Sequence, residues 1–526
     1  MPAWPSARVP AWPSARVPAW PSARPGTRRS IRSSVDALSR RPGGSVRGGE
    51  ETLLGIDLGT SSVKVALFDA DGRRLAGAQA AYPLDAPHPG WAETSPDAWW
   101  AAVCAAVREV TAAADRDVGA VGLSGQMHGL VLVDGRGAPV RPAITWADTR
   151  AAGLQPDWAR LAPTVLERLG NPFSPGMAGV LLGWLARHEP ATLRAAVVAL
   201  QPKDYLRLRL TGIAATEHTD ASATLLYDLT GRAWLTGLAA GLGIDPGLLP
   251  PINEAAEIAG PLTADAAADL GLRAGIPVAH GLADAAAAML GSGLVTPGAV
   301  QLTLGTGGQF VTPVAAPAPA AERGIHCFAA ETGWYRMAAI LGGGLALDWV
   351  RRVLGYEWPE FYHLAGRSIG PGAPLFLPHL VGERTPYLRP DLRGAWVGLD
   401  LGHDRSDLAL AALEGVALAL RTAHTALGAR SGGDLWLAGG GTTSPPWRGM
   451  LADHLGRGLA AVEVPGASAR GAALVAGLAV GQVDRAGIAG PLAPARRHVA
   501  DPRPGSAAQI EERAALWADA VRRSLE

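Results

Sequence analysis

Two stretches of this 526-residue chain end an apolar run in a turn of small and hydroxyl side chains. The first is Gly55-Ile56-Asp57-Leu58-Gly59-Thr60-Ser61-Ser62-Val63-Lys64. The second is Gln301-Leu302-Thr303-Leu304-Gly305-Thr306-Gly307-Gly308-Gln309-Phe310-Val311. Glycine lets a backbone come close to a ligand, and successive turn N–H groups with Thr and Ser hydroxyls make an anion nest. Thr60, Ser61 and Lys64 therefore read as phosphate contacts in the first copy, Gly305 and Thr306 in the second. Asp57, at a strand end, is placed to hold a water of a phosphate-bound Mg²⁺, a cation that keeps several waters and takes one or two carboxylates. The second copy has Thr303 at that position. Two such turns facing one cleft would clamp a polyphosphate from both sides. A third glycine cluster, Ala438-Gly439-Gly440-Gly441-Thr442-Thr443-Ser444, follows a short apolar run and would cover a nucleotide base or ribose, or merely turn the chain.

Other common devices are missing. Neither lysine, Lys64 or Lys203, follows a glycine as a Walker A loop requires, and no G-x-G-x-x-G or H-E-x-x-H occurs. The two near matches to a nucleophile elbow, Gly122–Gln126 and Gly466–Arg470, lack the final glycine. Dehydrogenase, metalloprotease and hydrolase chemistry thus lose their local support.

The elements that must position these residues alternate between strands and helices. Thr52–Leu58 and Val63–Phe68 read as a hairpin, Asp71-Gly72 as a turn to a third strand, and 96–110 as a helix. Ala120–Leu123 and Leu130–Val133 read as further strands, and the alternation continues to about Gly481, an α/β pattern. The chain from Arg497 reads as a polar link, followed by a final helix over 507–524. Asp284 stands where a strand over 276–279 gives way to an Ala-rich helix, a position suited to a helix N-cap.

Composition narrows the function classes. Basic and acidic side chains balance at 47 each, but nine Arg and only two acids fall in residues 1–50, so the remaining body is mildly acidic. That body argues against a dedicated nucleic-acid binder. Two cysteines, Cys104 and Cys327, exclude a disulfide framework or a cysteine zinc cluster. No apolar run approaches the roughly 18 residues of a membrane helix; 471–481 comes nearest. A soluble, cytoplasmic protein is expected. Residues 2–24 repeat PAWPSARV, with two prolines per octamer, and carry no apolar signal region. Residues 1–50 are therefore expected to be a disordered Pro/Arg-rich extension, an over-extended start of translation.

The chain resembles the FGGY carbohydrate kinases over about residues 52–486, and within them it is closest to the xylulokinase group. The resemblance rests on GIDLGTSSVKVALFD (55–69), GLSGQMHGLVLVD (122–134), PKDYLRLRLTG (202–212) and GERTPYLRPDLRGAWVGL (382–399), with support from AGGGTTSPPWRGMLAD (438–453). It implies an α/β fold of two actin-like (ribonuclease H-like) ATPase domains around a central cleft. Residues 51–294 would be the sugar-binding domain, 295–486 the ATP-binding domain, and 487–526 a tail with a terminal helix. It further implies ATP and Mg²⁺, a ketose substrate, and room for a homodimer, with no nucleic-acid or membrane partner. By resemblance Asp57, Thr60 and Lys64 form the first phosphate site, Gly305 and Thr306 the second, and Gly344, Gly440 and Gly441 the adenosine side. Met127 and His128 contact the sugar, and Asp284 is the catalytic base. The implied reaction is in-line transfer of the ATP γ-phosphoryl to the terminal hydroxyl of a ketopentose, D-xylulose in the first instance.

In the matching stretch GWAETSPDAWW (90–100), Trp99 and Trp100 read as packing on a helix face, and Trp146 and Asp148 border the cleft. Three positions depart from the family pattern. Ala285 replaces an Asn that follows the base in many xylulokinases, Thr442-Thr443 replaces an Ala and a basic residue, and Leu181 stands where some relatives have Lys. Losing the amide at 285 relaxes or shifts sugar choice. Another ketose or polyol, and a non-catalytic actin-like sugar sensor, are the alternative readings.

None of this chemistry uses the basic extension. Deleting residues 1–48 is expected to leave sugar-dependent ADP formation intact; a large loss of folded, active protein would overturn that reading.

Overall fold

The computed structural model describes residues 52–114, 116–429 and 433–526, so the expected extension over 1–50 lies outside the described residues. The run Thr52–Leu58 is strand β1, buried along its whole length. It turns back as antiparallel β2 (Ser62–Phe68) and, through Gly72, as β3 (Arg74–Ala81). Helix α1 (Pro96–Ala114) buries Trp99 and Trp100 against these strands, as expected, and leads to β4 (Val118–Gly125), parallel to β1. After helix α2 (Pro202–Thr211), strands β5 (Ile258–Pro261), β6 (Pro277–Ala279) and β7 (Leu282–Ala283) close a seven-stranded sheet. Its order is β5-β6-β4-β1-β2-β3, with β7 also on β4. Helix α3 (Asp284–Gly291) follows.

The second half repeats this plan. Its strands are β8 (Gln301–Leu304), β9 (Gly308–Val314), β10 (His326–Ala329), β11 (Trp334–Ile340), β12 (Leu435–Ala438), β13 (Leu459–Val462) and β14 (Arg496–Ala500). They form a sheet of order β10-β11-β9-β8-β12-β13-β14. Helices α4 (Gly344–Leu354), α5 (Trp358–His363), α6 (Arg405–Leu427), α7 (Pro445–Leu455), α8 (Ala467–Ala479) and α9 (Ala507–Leu525) complete the half. The series β3-β2-β1-β4-β6 thus matches β11-β9-β8-β12-β13, three antiparallel strands passing into parallel ones. This is the duplicated α/β architecture expected from the two Leu-Gly-Thr turns.

One local expectation is corrected and another is met outside the main sheet. Residues 497–500 are not a polar link but part of edge strand β14, paired to β13. Of Leu130–Val133, residues Val131–Val133 form a strand, but it pairs with Val198–Leu200 outside the main sheet.

Helix α8 lies between β13 and β14 of the second sheet in sequence but packs against the first sheet. A Cβ on Gly55 of β1 would lie 1.9 Å from the Ala469 carbonyl oxygen, and one on Gly122 of β4 would lie 1.7 Å from that of Ala472. Glycine is thus the only residue that lets the helix backbone seat on these two strands. The small-residue segment that came nearest to a membrane span in the sequence is this buried helix. Among the described residues, no helix is long and apolar enough to cross a membrane.

Gly122→Ala is expected to cost about 2–3 kcal/mol or more through overpacking. Gly237→Ala, in an open helical position with nothing within 4 Å of the new Cβ, is expected to be neutral or slightly stabilising. Chemical denaturation of the two variants checks the contrast.

Candidate functional site

Strands β1, β4 and β7 run parallel, so their C-terminal ends meet at one edge, where open α/β sheets bind ligands. Asp57 is the penultimate residue of β1. Its in-register neighbour on β4, Ser124, donates a hydroxyl hydrogen bond to its Oδ1 at 3.1 Å. Asp284 follows β7, whose Leu282 and Ala283 pair with Ser124 and Gly125. Both carboxylates therefore sit at the same edge. The expected N-cap role fails: Ala283 occupies the cap position, Asp284 is the first helical residue, and no side-chain cap bond forms. The Asp284 carboxylate instead accepts the N–H of Ala285 at 2.7 Å.

Burial, and then the negative charge of Asp57, push the Asp284 carboxyl up to about 7. Burial also raises Asp57, against the Ser124 hydrogen bond and the Lys64 charge. Lys64 pairs with Asp57 across the β1–β2 register and is exposed. The edge thus carries negative charge that its surroundings do not neutralise, an environment suited to a divalent cation. Among the described residues, no group of three or more His, Cys, Asp or Glu is arranged to hold a metal ion by itself. A cation held here would complete its shell with water and phosphate oxygens, the habit of Mg²⁺.

The first turn is braced from outside. Gly59 O accepts the Gln126 side-chain amide at 3.1 Å and the Tyr82 hydroxyl. The Thr60 hydroxyl accepts the indole N–H of Trp146 at 2.9 Å, and Trp146 is 40% exposed. Ser61 is exposed at the turn. Asp148 behaves differently from its neighbour Trp146: fully buried, it accepts the N–H of Ala92 and pairs with Arg150, a structural role.

Met127 and His128 follow β4. The Met127 sulfur accepts the Tyr335 hydroxyl of β11 at 3.7 Å, a contact between the two halves. His128 adopts φ +75°, and its backbone N–H donates to the Gln201 side chain at 3.1 Å. Its Nδ1 lies 2.8 Å from Ala223 O, which makes Nδ1 the protonated nitrogen and leaves Nε2 as an acceptor. Burial, against the Ala223 bond and aided by the charge of Arg384, lowers the imidazole to about 4 and keeps it neutral.

Behind these groups lies a fully buried ionic cluster. Lys203 contacts Asp204 at 2.7 Å, Asp220 at 3.2 Å and Glu217 at 3.5 Å, and Arg207 contacts Asp204 at 2.9 Å. Both cations donate to His280 O, just before β7. Thr219 donates to Glu217 and accepts the Ala283 N–H at 2.8 Å. The cluster thus holds the chain on which Asp284 stands.

The second edge is glycine-lined. Gly305, Thr306, Gly344, Gly440 and Gly441 border a cavity of about 800 Å³ together with Leu345, Asp348, Trp358, Tyr362 and Thr443. Gly344 and Leu345 donate their N–H groups to Gly305 O and Thr306 O at 3.0 and 2.9 Å. A Cβ on Gly305 or Gly440 would meet nothing within 4 Å, so both leave the cavity open. Trp358 and Tyr362 stack with centroids 5.1 Å apart. Sequence reasoning missed this pair, whose signal was two aromatics at i, i+4 on a short helix. The structure therefore gathers the expected residues into two groups. Asp57, Thr60, Ser61, Lys64, Met127, His128 and Asp284 lie about the first edge; the five glycine-turn residues lie about the cavity. Of the departures, Ala285 adjoins the Asp284 carboxylate, Thr443 lines the cavity, and Leu181 is wholly buried in core.

Residues 52–291 match the N-terminal domain, and residues 300–480 the C-terminal domain, of the FGGY family of carbohydrate kinases. The xylulose kinase of Escherichia coli (strain K12) is 35% identical over 413 residues, 77% of this chain and 85% of that protein. The crystal structure of a xyloylose kinase from Brucella ovis superposes with a TM-score of 0.84 at 34% identity, covering 90% of this chain and 100% of that one. The ligand-bound xylulose kinase from Lactobacillus acidophilus gives 0.86 at 25% identity, covering 90% and 98%. The fold, the two matched domains and the relatives agree: the chain belongs to the FGGY family of carbohydrate kinases.

Proposed function

We propose that this protein is an ATP-dependent ketose kinase, acting in the cytoplasm, that converts D-xylulose to D-xylulose 5-phosphate. The observation that carries the reading is Asp284, a carboxylate with its pKa raised to about 7 that stands beside Asp57 at a strand-end edge. The xylulose kinases to which the chain is similar support the choice of sugar. Residues 51–294 carry the sugar side and 295–486 the nucleotide side.

Phosphoryl transfer asks mainly for positioning and charge stabilisation. Asp284 accepts the proton of the terminal sugar hydroxyl as its oxygen attacks the γ-phosphorus and the bond to ADP breaks. His128 Nε2 accepts from another sugar hydroxyl, and Met127 packs beside it. Thr60, Ser61 and Lys64 with Gly305 and Thr306 hold the phosphates, and Gly344, Gly440 and Gly441 admit the nucleoside to the cavity. Asp57 would hold Mg²⁺, which when bound would supply charge neutralisation at the phosphate oxygens. Closure of the two halves excludes water as a competing acceptor.

A second reading, another ketose or polyol, is favoured by Ala285, which leaves the Asp284 neighbourhood without a side-chain amide.

Two measurements check the proposal. ADP release is expected on addition of D-xylulose from a panel of ketoses and polyols, and Asp284→Ala is expected to lose about 10²–10⁴-fold. If no sugar stimulates release, the kinase reading fails; if only another sugar does, the choice of D-xylulose fails. Because a base works only when ionised, kcat/KM is expected to fall as pH drops through about 7 and to level off above it. An acid limb near pH 4 would mean that Asp284 titrates normally and is not so placed.

A further inference from the structure

Arg384 lies in the 382–399 segment, and its backbone is fixed on both sides. The Glu383 carboxylate accepts the N–H of Arg384 at 2.8 Å and that of Leu341 at 2.9 Å, and His379 Nδ1 lies 3.1 Å from its other oxygen. Thr385 donates its hydroxyl to Gly324 O at 2.8 Å and accepts the Ala339 N–H at 3.1 Å. Leu388 donates its N–H to Arg384 O at 2.6 Å. The side chain is treated differently. It is sheltered from water enough for burial to lower its pKa, yet among the described residues no hydrogen bond or ion pair satisfies its guanidinium. A half-buried cation on a fixed backbone, with no partner among the described residues for its guanidinium, keeps its fork of donors free for a ligand.

Its surroundings say which ligand. Thr385 ties the segment to Gly324, just before β10, and β10 carries His326 and Phe328. His326 stacks on Phe328 at 5.3 Å, and the Phe328 ring lies 5.9 Å from that of His128. The Arg384 charge acts on both His128 and His326. It is not among the charges that act on Asp284. The segment thus brings the Arg384 charge to the His128 wall from the second half, where it acts on His128 and His326 rather than on Asp284.

We propose that Arg384 is a sugar-binding residue, whose guanidinium donates to adjacent oxygens at the end of the ketose remote from the hydroxyl that is phosphorylated. The inference rests on the sugar-kinase reading above and adds a contact from the second half to a sugar site otherwise built from the first. A planar fork of donors suits neighbouring oxygens better than a lysine ammonium does.

The test compares the full-length parent with Arg384→Ala and Arg384→Lys, using the sugar of the panel to which the parent responds. Arg384→Ala is expected to raise KM for that sugar by about 10- to 100-fold, the range for losing a charged hydrogen bond. KM for ATP should stay within about twofold and the thermal midpoint should not fall, since an unsatisfied charge has been removed. Arg384→Lys should recover part of the sugar affinity, and added methylguanidinium should partly restore the Ala variant. A sugar KM unchanged in both variants overturns the inference while leaving the kinase reading in place. So does an equal rise in both KM values with a lowered midpoint and no recovery by Lys or methylguanidinium, which marks a purely structural residue. If no sugar stimulates the parent, the kinase reading falls and takes this inference with it.

Discussion

The structure depends on a backbone-to-backbone approach that only glycine permits. Helix α8 meets β1 and β4 through Gly55 and Gly122, and it meets α3 through Gly471, where a Cβ would lie 1.9 Å from Ala287 O. One helix thereby fixes the strand that ends in Asp57, the strand that leads to Met127 and His128, and the helix that opens with Asp284. Arg470 on the same helix secures the arrangement. Its buried guanidinium donates to Gly291 O at 2.5 Å, Leu492 O at 2.6 Å and Gly72 O at 3.2 Å. Because α8 belongs to the second half in sequence, these contacts join the halves, together with the Met127–Tyr335 contact.

Charge is arranged on two levels around this frame. At the strand ends, burial first and then the charge of Asp57 raise Asp284 to about 7. Behind them three acids, Asp204, Glu217 and Asp220, share two cations, Lys203 and Arg207, in a site with no exposure to solvent. That inner cluster holds His280 O and, through Thr219, the Ala283 N–H, so its geometry fixes the segment before Asp284. A buried network of this kind is costly to assemble and contributes specificity of position more than stability.

Much of the site was legible in the sequence because its signals are local. A turn of Gly, Thr and Ser after an apolar run announces itself within ten residues, and its repetition announces the duplicated fold. What was not legible depends on distant partners. The Met127–Tyr335 contact joins residues far apart in the chain, and the α8 packing joins segments whose small residues look alike from either side. Strand β14 was hidden because Arg496–Val499 is exposed or half-exposed and shows no alternation, as an edge strand allows. The capping role expected of Asp284 failed for a subtler reason. Its helix begins one residue earlier than a cap requires, so the carboxylate accepts only the adjacent Ala285 N–H. Lys203 stood out only by the rarity of lysine; its total burial among three acids could not be read from that.

The two glycine turns share Leu-Gly-Thr but differ in the residue before it, Asp57 in the first and Thr303 in the second, which face Lys64 and Gln309 across their hairpins. That difference makes the two rims electrostatically unequal. At the first turn a polyanion meets Asp57 with Lys64 across the strand pair; the second turn carries neither, and the carboxylate lining its cavity is Asp348 on α4. The duplicated turn therefore gives the cleft a polarity that distinguishes the two ends of a triphosphate before any base-specific contact is made.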